Sequence, residues 1–145
     1  MRVMPEQRCV VVGVDGSPNS IAALRRASNE AHRRMARLDV IRVLPPSEPG
    51  RLRAVRAWLE LRSLVARSIP RSRHITTRLR IAHGEPAVEL AEAAEHAELL
   101  VIGARLNSEH GSPFGGHTVP AILASSPCEV VICADHASSP VQSDG

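Results

Sequence analysis

The sequence predicts a Rossmann-like α/β fold, a parallel sheet of five strands with four helices divided between its two faces. Short aliphatic runs alternate along the chain with stretches whose apolar residues recur every three or four positions. Most of the runs are continuous in hydrophobicity rather than alternating, as strands covered on both faces require. A length of 145 residues suits one domain, long enough to bury roughly 70% of the surface its unfolded chain exposes.

RCVVVGVDGSPNS opens with the β-branched run Val10 to Val12, which predicts a first strand ending at Gly13 in a turn. Ser17 then stands as an N-cap with Pro18 at the first helical position, where a missing N–H costs nothing. Ile21, Leu24, Ala27, Ala31 and Met35 follow at helical spacing. LDVIRVL, Leu38 to Leu44, is the second strand, ended by Pro45 and Pro46 because proline supplies no donor to a ladder.

The second helix, near Arg51 to Ser68, is expected to set Leu52, Val55, Leu59 and Val65 on one side and arginines on the other. ITTRLRIA alternates, with Ile75, Thr77, Leu79 and Ile81 facing one way, so the third strand lies nearer an edge. Pro86 starts a third helix through Val88, Leu90, Ala91 and Ala94. LLVIG, Leu99 to Gly103, is a fourth buried strand. After a glycine-rich loop, Val119, Ile122 and Leu123 mark a short helix, and CEVVIC, Cys128 to Cys133, is the fifth strand. Residues 1–136 then form one domain, and 137–145, which lack any apolar period, are expected to be a disordered tail.

Composition excludes several chemistries. The chain has no lysine, so its 18 basic residues are all arginine and its formal net charge is +3. A Walker-type phosphate loop, a Schiff base and a lysine base are therefore absent. Aromatics are 1% of the residues, Trp58 and Phe114 without a tyrosine, which removes the stacking platform of single-strand nucleic-acid binders. Cys9, Cys128 and Cys133 form no CxxC pair and read as small buried hydrophobes. No segment approaches the ~20 apolar residues of a membrane span, and MRVMPEQR lacks a signal peptide's apolar core. A cytoplasmic protein with neither nucleic-acid nor membrane partners is expected.

In open parallel sheets the ligand crevice lies beyond the carboxyl ends of the strands, where the winding reverses. Two strand exits are unlike plain turns, VGVDGS after the first strand and GARLNSEHGSPFGGHT after the fourth. Asp15 in the first loop suits a ribose hydroxyl or a hydrated Mg²⁺ shared with phosphates; equally, it suits an Asx-type turn that caps its own backbone. The second loop offers Gly103, Gly111, Gly115 and Gly116 for close backbone approach, Arg105 as a bidentate phosphate partner, and a helix start near Gly116 with His117 and Thr118 as donors. Its bland alternative is a long loop whose glycines only turn the chain. No GxSxG elbow is present, and no carboxylate is placed beside His110 or His117, so hydrolase chemistry has no support.

VVVGVDGSPNSIAALRRA, DVIRVL, GEPAVELAEAAEHAELLVIGA and SSPCEVVIC together resemble the universal stress protein family over nearly the whole chain from Cys9 to Cys133. The resemblance implies strand order 3-2-1-4-5, which places the first and fourth strands side by side. It also implies a homodimer through the last strand, here Glu129 to Cys133, and in many members binding of ATP, often with Mg²⁺, in regulation under stress rather than in catalysis. Slow ATP hydrolysis would need a base that no residue here is placed to supply.

The ATP-binding branch carries G-x2-G-x9-G-[ST]. Gly103 and Gly116 match the first and third glycines; Leu106 stands at the second, His117 at the serine or threonine, and Thr118 where valine is usual. Gly13 and Asp15 match residues that lie against ribose and phosphates, and Val43 matches the position whose backbone pairs with adenine. The implied nucleotide set is thus Gly13, Asp15, Val43, Gly103, Arg105, Gly115, Gly116, His117 and Thr118, with Asp15 near any Mg²⁺. The alternative is a nucleotide-free dimeric interaction protein of the branch lacking the motif, which Leu106 and His117 favour.

Overall fold

A computed structural model describes residues 8–15, 18–45, 50–70, 74–104 and 118–134. The first aliphatic run forms β1 (Cys9–Val14), every residue of which is buried. Helix α1 (Pro18–Arg34) begins at the proline, and Ser17 lies outside the described residues. There follow β2 (Arg37–Leu44), α2 (Arg51–Ser68), β3 (Thr77–His83), α3 (Pro86–Ala93), β4 (Leu99–Ala104), α4 (Thr118–Ser125) and β5 (Glu129–Ala134). The sheet is parallel throughout and ordered β3-β2-β1-β4-β5. The predicted tail lies outside the described residues.

Successive strand residues point to opposite faces, and each face has its own core. Val10, Val12, Leu38, Val40 and Val101 pack with Leu24, Ala27 and Ala31 of α1 and Leu61 and Leu64 of α2. On the other side Val11, Ile41, Leu100 and Ile102 pack with Leu90 of α3 and Ile122 of α4. Burying each large aliphatic side chain contributes about 1.5–3 kcal/mol, so continuous strand runs are what hold the two helical layers on. The edge strand β3 alternates as predicted, with Leu79 and Ile81 packed on the α1/α2 side, as is Ile75 just before the strand.

Several local expectations are corrected. Gly13 is no turn residue: it sits inside β1, in register with Ile41 and Ile102, and the strand runs on to Val14. Met35 is no core residue either; α1 stops at Arg34, and Met35 takes a left-handed φ of 55° with 89% exposure. The Ala36 N–H donates to the Ala31 carbonyl at 2.8 Å, a C-terminal closure that usually uses glycine at the left-handed position. On α2 the buried residues are Ala57, Leu61, Leu64 and Ser68, whereas Leu52, Val55 and Leu59 face outward. Val88 and Leu123 are likewise exposed.

Candidate functional site

The β1–β2 ladder ends at Val14↔Arg42, one rung before Val43. The β1–β4 ladder ends at Gly13↔Ile102, one rung before Gly103. Both neighbours run on against their outer partners, Val43 opposite Ala82 and Gly103 opposite Cys133. β1 leaves the sheet at Asp15 between the ends of β2 and β4, where the strand order reverses, the position at which open parallel sheets place a ligand crevice. Gly13, Asp15, Val43 and Gly103 are therefore brought together by register alone.

Asp15 is half-buried and tied to the first turn of α1. Its N–H donates to Ser20 Oγ at 2.9 Å, and the Ser20 hydroxyl donates back to Asp15 Oδ1 at 2.9 Å. Ser20 is fully buried, so the two bonds hold Asp15 in a fixed orientation at the end of β1 and satisfy the buried Ser20 hydroxyl as donor and acceptor. The carboxylate braces itself through Ser20, five residues on, rather than through an Asx-type turn alone. Sequence reading missed Ser20; its signal was a serine two residues after the proline that opens a helix.

Of the predicted site glycines, Gly13 and Gly103 are described, and packing presses on both, most strongly on Gly103. A Cβ on Gly103 would stand 2.5 Å from the Asn19 carbonyl oxygen and 2.7 Å from its carbon, because the end of β4 lies directly against the backbone of α1's first turn. A Cβ on Gly13 would meet Leu90 Cδ2 at 2.9 Å and Cδ1 at 3.1 Å. Gly103 thus seats the helix start that carries Asp15's brace. The sequence marks Leu90 only as an apolar position of a helix and does not mark Asn19, since both contacts join residues far apart in the chain.

Thr118 is the first residue of α4, which packs beside α3 on the Leu90 side of the sheet. Arg105, Leu106, Gly115, Gly116 and His117 lie outside the described residues. Beside the crevice, on the α2 side, Val14, Leu61, Leu64, Arg42, Glu60 and Arg67 line a recess of about 230 Å³. There Arg42 Nη1 lies 3.1 Å from Glu60 Oε1.

Among the described residues no group of three or more His, Cys, Asp or Glu side chains could hold a metal ion. A cation at Asp15 would need phosphate oxygens to complete its shell. At the opposite end of the sheet Cys9 Sγ donates to Asp39 Oδ2 at 3.2 Å, and Arg37 pairs with that carboxylate at 2.8 Å. Burial, reinforced by Asp39, pushes the Cys9 thiol up to about 11. Cys9 is therefore a protonated, unreactive core group.

A universal stress protein family model matches residues 8–134. No curated protein matches the sequence. Among solved structures, a universal stress protein in complex with cAMP superposes with a TM-score of 0.66 at 26% identity, covering 87% of this chain and 95% of that one. UspA from Lactobacillus plantarum gives 0.66 at 23% identity, with 90% and 99% covered. A universal stress protein from Archaeoglobus fulgidus in complex with dAMP gives 0.68 at 20% identity, with 89% and 98% covered.

Proposed function

The chain belongs to the universal stress protein family, and from that membership we propose that it is a regulator that binds ATP or another adenine nucleotide in the crevice at the end of β1. The observation that carries the reading is the termination of both β1 ladders one rung short of Val43 and Gly103, with Asp15 held between them by Ser20. Such a crevice leaves strand-end backbone at Val43 to pair with a base edge, and gives Asp15 to a ribose hydroxyl. The cAMP complex at 26% identity supports a purine nucleotide as the ligand.

Phosphates then extend toward the loop after β4, where Gly103, Arg105, Gly115, Gly116, His117 and Thr118 supply backbone N–H groups and one guanidinium. Mg²⁺ would arrive with the phosphates and share Asp15, since it is commonly held by one or two carboxylates plus phosphate oxygens. Its contribution is charge neutralisation. The protein's own residues bind and orient; none is placed as a base for hydrolysis, and the reading is of a binder without catalysis of its own. A homodimer through the outer edge of β5, Glu129 to Cys133, completes the proposal, β5 being the terminal strand of the sheet.

Isothermal titration with ATP and with cAMP, each with and without Mg²⁺, tests the reading. Binding by the wild type and its loss in Gly116→Asp and in Asp15→Ala is expected. No heat with any nucleotide sinks the proposal and favours the nucleotide-free interaction protein, for which Leu106 and His117 speak.

A further inference from the structure

The two helical layers differ in charge. Helices α1 and α2 carry nine of the chain's 18 arginines and one carboxylate each, Glu30 and Glu60. Helices α3 and α4 carry no arginine and two carboxylates, Glu89 and Glu92. The carboxylates of the basic layer are already engaged, Glu30 with Arg26, Arg33 and Arg34, and Glu60 with Arg42. The α1/α2 face therefore presents a positive field, whereas on the other face Arg78 and Arg80 of β3 offset the carboxylates of α3.

Apolar surface rides on the crest of the positive layer. Leu52 is 86% exposed, Val55 54% and Leu59 52%. Spaced three and four residues apart, they form one strip along α2, on the side away from Ala57, Leu61 and Leu64. Arg53 and Arg56 border the strip in a shallow concavity of about 690 Å³. Beside it the Arg62 guanidinium lies 5.8 Å over the Trp58 ring.

The occupant follows from shape and charge. Every described residue lining that concavity belongs to α2, so among the described residues no second wall grips a peptide. The strip's helical repeat next reaches Arg62 and Ala66, so a partner helix would find three apolar anchors and then a charge. Nucleic acid would use the arginines but leave the strip idle, and aromatics for stacking are 1% of the chain. A planar anionic surface needs neither a wall nor a long seam, and takes both the apolar crest and the flanking cations.

We propose that the α1/α2 layer docks on an anionic lipid surface, with Leu52, Val55 and Leu59 entering the acyl boundary and the flanking arginines meeting headgroup phosphates. The α3/α4 layer, whose helices carry no arginine, then faces away. Among the described residues no helix is long and apolar enough to cross a membrane, and peripheral docking requires none. The expectation of no membrane partner rested on the lack of a span, which this mode of binding bypasses.

Cosedimentation of the full chain with vesicles of phosphatidylglycerol and phosphatidylcholine in equal parts, and of phosphatidylcholine alone, tests the proposal. Binding to the anionic vesicles only, falling between about 0.05 and about 0.5 M NaCl, is expected. Leu52→Ser with Leu59→Ser should lower the vesicle partition about tenfold or more, with an unchanged melting curve because both positions are exposed. Arg51→Gln with Arg56→Gln and Arg62→Gln should lower it too. Absence of vesicle binding overturns the proposal, as does binding indifferent to the leucine pair, which would reduce it to unspecific electrostatics. Retention on duplex DNA that exceeds vesicle binding, or binding of an acidic amphipathic peptide without vesicle binding, assigns the face elsewhere and equally overturns it.

Discussion

Substituting Gly103 by alanine separates a glycine kept for packing from one kept for phosphate approach. The added Cβ would stand 2.5 Å from the Asn19 oxygen and 2.7 Å from its carbonyl carbon. Both are backbone atoms of α1's first turn, which no rotamer change can move. Overpacking of this kind costs about 1–3 kcal/mol, and for a domain near 150 residues about 2 kcal/mol corresponds to a fall in Tm of roughly 4–8 °C. Gly13→Ala meets only the tip of the Leu90 side chain, at 2.9 Å, and should cost under about 1 kcal/mol after repacking. Paired thermal and urea melts of the two variants measure the difference. Because the displaced turn carries Ser20, Gly103→Ala should also weaken nucleotide binding; a loop-only role would weaken binding and leave Tm unchanged. A Gly103→Ala protein melting within about 1 °C of wild type would refute the packing account.

Other consequences are simpler to read. Leu61→Ala should lose about 2–5 kcal/mol in urea denaturation, and Leu59→Ala no more than about 0.5 kcal/mol, because Leu61 is buried and Leu59 half exposed. Met35→Gly should stabilise the protein by roughly 1 kcal/mol in the same assay, since a left-handed φ of 55° strains a side chain that is 89% exposed. The chain has neither lysine nor tyrosine, so thiols dominate its alkaline side-chain titration. With the Cys9 thiol raised from 9.0 to about 11 in the fold, its contribution is intact below about pH 9 and is lost as pH rises toward 11. Urea midpoints of wild type should fall over that range, and those of Cys9→Val should fall less. Glu30, held below 4.5 chiefly by Arg33, acts in the opposite sense. Its stabilisation is present above that value and disappears as pH falls further, so Glu30→Gln should flatten the acid limb of a melting-temperature profile.

The element order was legible because strand and helix signals here are strong and local: continuous valine runs, a proline at the start of α1 and of α3, and prolines after β2. The face of α2 was not. That helix carries two apolar strips, one through Leu52, Val55 and Leu59 and another through Leu61 and Leu64, and sequence periodicity cannot say which meets the sheet. The small Ala57 and Ser68 lie with Leu61 and Leu64 on the buried side; they let the helix approach closely, and tertiary packing makes the choice. Gly13 reads as a turn residue because glycine after a valine run usually ends a strand. Here it only clears space for Leu90. Within the site, Asp15 and Gly103 were legible at strand exits and Val43 through the family resemblance, whereas Ser20 and Asn19 became visible only when the first turn of α1 was seen against β1 and β4.

The central claim, an adenine nucleotide in the crevice at the end of β1, is tested most directly by what the purified protein carries. Heat-denaturing the wild-type chain and chromatographing the supernatant should release an adenine nucleotide in a substantial molar fraction, and Asp15→Ala prepared identically should release little. A wild-type supernatant without nucleotide, from protein that also binds none when ATP is supplied with Mg²⁺, would contradict the account.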